Sequence, residues 1–263
     1  MSSLLVAFHD LSWSILLPAF CAGLLVIATH VPLGVQVLQR GIIFIDLAIA
    51  QVAGLGAYLV TMVLGSEAPV VWVQVGAMGM ALVAAWLLVA TERVTTRYQE
   101  PVIGIVFVLA ATAVVLLLAN DPHGGQHLSE LLAGQILWIG WGQIFYSALV
   151  TFLLLAAIFL LQGKRVWFYS LFAVAITVSV QLVGVYLVFA TLIIPALATI
   201  TLQGKWVRLW VTYLVAAAGY VLGLVGSALF DLPTGPLIVW ALAIVGVVAL
   251  LLLRRQRGLS LEA

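Results

Sequence analysis

Nine apolar runs follow one another along this chain, most of them close to the roughly 20 residues an α-helix needs to cross a bilayer. They fall near 13–37, 41–64, 69–91, 101–119, 141–162, 166–181, 183–202, 208–230 and 236–253. In hydrocarbon a helix satisfies its own backbone donors and acceptors, so runs of this length read as spans. The alternation of about ten residues that marks an outer-membrane barrel is absent. Of 263 residues, 65% are hydrophobic and 7% are charged; soluble domains carry about 25% charged residues. The expected fold is all-α: a polytopic membrane bundle of about nine transmembrane helices. The stretch 166–201 is too long for one span, and Gln181 with Gly184 offers the break. The run 131–139 is too short to cross and reads as a re-entrant or interfacial helix. Loops are brief and no linker is visible, so 1–263 is expected to be one transmembrane domain.

The basic residues set the orientation. Arg40, Arg93, Arg97, Lys164, Arg165, Lys205, Arg208, Arg254, Arg255 and Arg257 are all the Lys and Arg of the chain. With nine spans they share one side, which the positive-inside rule makes the cytoplasm. The N-terminus is then expected outside and the C-terminus inside. Glu92, Glu100 and Glu262 fall in inside segments; Asp10, Glu67, Asp121, Glu130 and Asp231 fall outside. The N-terminus has no basic flank and carries His9 and Asp10, so a cleaved signal peptide is not expected. The single cysteine, Cys21, lies within a span and excludes a disulfide framework or a cysteine metal cluster.

Several chemistries are missing. No GxxxxGK[ST] loop occurs, so ATP is not bound in that way. No GxSxG elbow or HExxH helix is present, and no catalytic residue or tightly bound cofactor is expected. A net charge of +1 and the lack of a soluble domain give no basis for nucleic-acid binding.

Asp46 lies in the apolar run 42–63, where an ionised carboxylate is costly and marks a functional site by default. The bland reading is a protonated or hydrogen-bonded carboxyl group. His30 is the other ionisable group inside a span. Counted from the span ends, both lie roughly 9–10 Å above the inner turn at 1.5 Å per residue. If the first two helices are neighbours, a His30–Asp46 pair follows. Otherwise His30 bonds a backbone carbonyl freed by Pro32. Gln51 stands five residues after Asp46, about 140° round an ideal helix. It joins Asp46 only if the helix winds irregularly near Gly54 and Gly56. In the outside loop, His123, His127, Asp121 and Glu130 form a second group of metal-capable side chains, or simply a solvated loop. Gly219 with Gly223, and Gly54 with Gly56, mark expected close helix contacts.

Five segments together resemble the permease subunit of the zinc/manganese/iron class of ABC importers, the ABC-3 family. Pro32-Leu33-Gly34 followed by Arg40 and Phe44-Ile45-Asp46 is similar to its PLG…RR…FGD start. Ile103-Gly104-Ile105 and Leu131-Leu132-Ala133-Gly134-Gln135-Ile136-Leu137 are similar to its IGI and LLFGnil segments. Val183-Gly184-Val185-Tyr186-Leu187-Val188, leading to Leu192-Ile193-Ile194-Pro195-Ala196, is similar to VGalLv…LLIIPA. Asp231-Leu232-Pro233-Thr234-Gly235-Pro236 matches a late D-x-P-x-G-P turn.

The resemblance implies a homodimeric pore in a bacterial inner membrane. A cytoplasmic ABC ATPase subunit would drive it and an extracytoplasmic metal-binding protein would supply it. The transported substrate would be a divalent metal, zinc or manganese. The family's acid in the FGD segment falls on Asp46, but Ala50 stands where its histidine would be. Of the family's long cytoplasmic segment between spans five and six, only Gly163-Lys164-Arg165 is present, leaving the 91–100 loop as a docking element. The reading is a metal-importer permease with Asp46, His30 and Gln51 as metal-site candidates. The alternatives are an ATPase-independent cation carrier or channel using Asp46, and a non-transporting membrane partner subunit.

Overall fold

The computed structural model describes residues 13–65, 68–94, 98–119, 124–134, 136–160 and 165–261. Among these the regular structure is entirely helical. In chain order the helices are α1 (Trp13–Arg40), α2 (Ile45–Leu64), α3 (Val70–Val94), α4 (Gln99–Leu118), α5 (Gly124–Ala133), α6 (Trp141–Leu160), α7 (Arg165–Val183), α8 (Val185–Ala198), α9 (Lys205–Phe230) and α10 (Thr234–Leu261). A short 3-10 turn, Ile136–Trp138, follows α5. Nine helices thus stand where nine spans were expected, and the protein is a multi-pass membrane protein. Seven of them are long and apolar enough to cross a bilayer; the apolar parts of α7 and α8 are shorter. At 1.5 Å per residue the 14 residues of α8 rise about 21 Å, less than the roughly 30 Å of hydrocarbon. Residues on every side of α8 are buried, from Val185 and Leu187 to Ala196 and Ala198, which makes it a core helix of the bundle.

Gly184 breaks the long apolar stretch as expected. Its φ of +81° ends α7 and starts α8, a conformation glycine adopts without the Cβ penalty. It also faces Gly134, after α5, whose φ is +67°; a Cβ on either would run into the other's backbone. The 131–139 run therefore does not cross: the end of α5 and the 3-10 turn pack on the bundle at this junction.

Two sequence motifs prove to be one contact. A Cβ at Gly34 would overlap the carbonyl oxygen of Leu192, so the Pro32-Leu33-Gly34 segment of α1 lies directly on the Leu192–Ala196 part of α8. Gly219 and Gly223 likewise let α9 close on Leu242 and Ile238 of α10, and Gly56 lets α2 close on Gly76 and Met80 of α3. Pro32 has no N–H to give the carbonyl of Ala28; the Tyr213 hydroxyl of α9 donates to it instead at 3.0 Å. Tyr220, fully buried on α9, meets the Thr191 hydroxyl of α8 at 2.8 Å. Thr199 and Thr212 join the same helices at 2.7 Å. In the Asp231-Leu232-Pro233-Thr234 turn, Asp231 takes the left-handed conformation (φ 51°), and Ser227 Oγ donates to the Leu232 carbonyl at 2.6 Å.

Candidate functional site

Asp46 is the second residue of α2. The chain leaves α1 at Arg40, turns through Gly41 (φ +68°) and enters α2 after Phe44, whose side chain offers no cap to the helix. The orphan N–H groups of this first turn present partial positive charge to an anion. Phe44 stacks on Phe189 of α8, centroids 6.4 Å apart and rings 4° from parallel. Arg40 places its guanidinium 4.0 Å from the ring centre of Phe168 on α7. These contacts pin the turn to the α7–α8 pair. Asp46 is 1% exposed, and neither carboxylate oxygen has a hydrogen-bond partner among the described residues. A buried polar atom is normally paired, so two orphaned oxygens on one acid call for a functional explanation.

His30 is fully buried in α1. Its Nδ1 lies 2.9 Å from the Val26 carbonyl, which also accepts the Thr29 hydroxyl at 3.1 Å. A carbonyl only accepts, so Nδ1 carries the proton and the Nε2 lone pair is free; Nε2 has no partner. The ring is thus anchored by one nitrogen and open at the other, the arrangement of metal-ligating histidines. The carbonyl it uses is Val26, while the one freed by Pro32 goes to Tyr213.

The expected His30–Asp46 pair is not formed. Successive helices need not be neighbours: α1 packs on α6, α7, α8 and α9, whereas α2 packs on α3, α4, α7 and α8. α1 and α2 share no extensive interface, and α7 and α8 are neighbours common to both. The expected common depth also fails, because α1 runs on to Arg40 and α2 starts only at Ile45. His30 is then about 15 Å above the end of α1, and Asp46 within about 2 Å of the start of α2. Gln51 is 3% exposed and one and a half turns further along α2. α2 stays regular past Gly54 and Gly56, so Gln51 remains about 140° round from Asp46. Among the described residues no three His, Cys, Asp or Glu gather into a metal-holding group. His123 and Asp121, and the side chains of His127 and Glu130, lie outside the described residues, as do Gly163 and Lys164.

Sequence reading missed Glu100. Placed in an inside loop, it is the second residue of α4, and its Oε1 accepts the Ile43 N–H ahead of α2. The available signal was Pro101, since proline favours the first turn of a helix.

The fold is shared with two solved structures. The structure of PsaBC from Streptococcus pneumoniae in complex with Fab superposes with a TM-score of 0.76 at 20% identity, covering 100% of this chain and 99% of that one. An inward-facing metal-chelate type ABC transporter gives 0.66 at 18% identity, covering 91% and 85%. The Haemophilus influenzae protein named "Probable iron transport system membrane protein" is 28% identical over 174 residues, 58% of this chain. The match spans 64% of that curated relative's length. The model of the ABC 3 transport family matches residues 12–166 and 161–253, and the chain belongs to that family.

Proposed function

We propose that this chain is the transmembrane subunit of an ATP-driven importer of a divalent metal, with Asp46 in the translocation path. The observation that carries the reading is the Asp46 carboxylate, buried in a bundle of the ABC 3 transport family with both oxygens unpartnered. An anion so placed gains most from a passing cation. His30 and Gln51 stand further along the bundle as later or earlier stations, and the free Nε2 of His30 is a nitrogen donor. The metal is zinc or manganese, and the name of the Haemophilus relative adds iron. The proposed setting is a bacterial inner membrane, with the N-terminus outside and the C-terminus in the cytoplasm. A homodimer of this chain would work with a cytoplasmic ABC ATPase and an extracytoplasmic metal-binding protein. The chain itself carries no catalysis in this reading.

Two experiments test it. Asp46→Asn should bring metal uptake in cells down to background; unchanged uptake removes Asp46 from the path. The purified chain should co-elute with its ATPase and alter the ATPase rate; no complex and no effect would sink ATP coupling. That result would favour an ATPase-independent carrier or a non-transporting partner subunit. The brevity of the α6–α7 connection, from Leu160 to Arg165, is what keeps this second reading in play.

A further inference from the structure

Asp46 has a neighbour of its own kind. Helices α2 and α4 pack together, and each carries an acid as its second residue, Asp46 and Glu100. Glu100 is held over the start of α2 by the Ile43 N–H, three residues before Asp46. That bond uses Oε1 alone; Oε2 is buried and without a partner. Three carboxylate oxygens, two of Asp46 and one of Glu100, are therefore out of water and unclaimed. The basic residue nearest in sequence, Arg40, lies over the Phe168 ring. Two carboxyl groups in a low-dielectric corner can both stay ionised only with a cation between or beside them; without one, a proton takes its place. The two helix N-termini add partial positive charge but no further ligand.

We propose that Asp46 and Glu100 together bind one divalent cation, an oxygen-donor site at the end of the bundle where α2 and α4 begin. Oxygen donors suit manganese and similarly hard ions better than zinc, which is drawn more to nitrogen and sulfur. The inference rests on the cation-permease reading and adds a second ligand to it. The competing role for Glu100 is a plain cap on the Ile43 N–H. Glu100→Gln separates the two, because the amide oxygen still accepts that N–H while the charge is gone.

The test titrates Mn2+ alone into the purified full-length chain in detergent, with a melting curve for each variant. E100Q and D46N should each weaken Mn2+ binding by about tenfold or more, with E100Q melting as the wild type does. Wild-type affinity in E100Q would make Glu100 a cap only and overturn the pair, as would a wild-type chain that binds no Mn2+. If E100Q does not fold, E100D is read instead: it keeps the charge on a side chain one methylene shorter. Weakened binding then supports the pair and unchanged binding overturns it. The outcomes stay separable from the permease reading, which the uptake of D46N decides: lost uptake with full Mn2+ affinity in E100Q removes Glu100 and leaves Asp46 in place.

Discussion

Where α8 meets α9, the hydroxyls of Thr191 and Tyr220 answer each other, as do those of Thr199 and Thr212, and Tyr213 serves the carbonyl that Pro32 leaves open. At the start of α2, the Asp46 carboxylate and the far oxygen of Glu100 are equally buried from water and have no partner. Both regions put polar atoms inside an apolar bundle. In the first they are satisfied in pairs and hold helices together. In the second they are left without a partner, the arrangement the proposed cation site calls for. Burial of polar groups alone therefore does not mark a site in this molecule.

Substitutions can break this contrast. The largest effect is expected at Asp46: Asp46→Asn should remove metal transport while the melting temperature stays at or above that of the wild type. A clear drop in melting temperature would make Asp46 a structural residue. Next comes Gly34→Val, which forces a branched side chain into the Leu192 carbonyl. Overpacking against backbone should cost about 3 kcal/mol or more, read as loss of folded protein in detergent extracts. Tyr213→Phe strands the Ala28 carbonyl and should cost about 1–3 kcal/mol. Tyr220→Phe should cost only about 1 kcal/mol, because the Thr191 hydroxyl keeps its bond to the Leu187 carbonyl. Thermal melts that reverse the order of the two tyrosines would contradict the role given to Pro32.

Much of the bundle was legible in the sequence, because span length and the cost of buried charge act locally. Run lengths placed the nine helices, Gly184 announced the α7–α8 break, and the Gly219–Gly223 spacing announced the α9–α10 contact. Asp46 stood out for the same local reason. The partners of Asp46 were not legible, because they depend on which helices touch. Sequence neighbours α1 and α2 share no extensive interface with each other, so His30 and Asp46 separate. Helix ends mattered as well: extending α1 to Arg40 and delaying α2 to Ile45 lowered Asp46 by about two turns relative to His30. Glu100 escaped notice because a first-turn acid and a loop acid look alike until the neighbouring helix start is in view.

The most direct measurement is manganese and zinc accumulation by cells carrying Asp46→Asn or Tyr220→Phe at matched membrane levels. Background accumulation with Asp46→Asn and near wild-type accumulation with Tyr220→Phe is the expected result. Wild-type accumulation with Asp46→Asn would contradict the account.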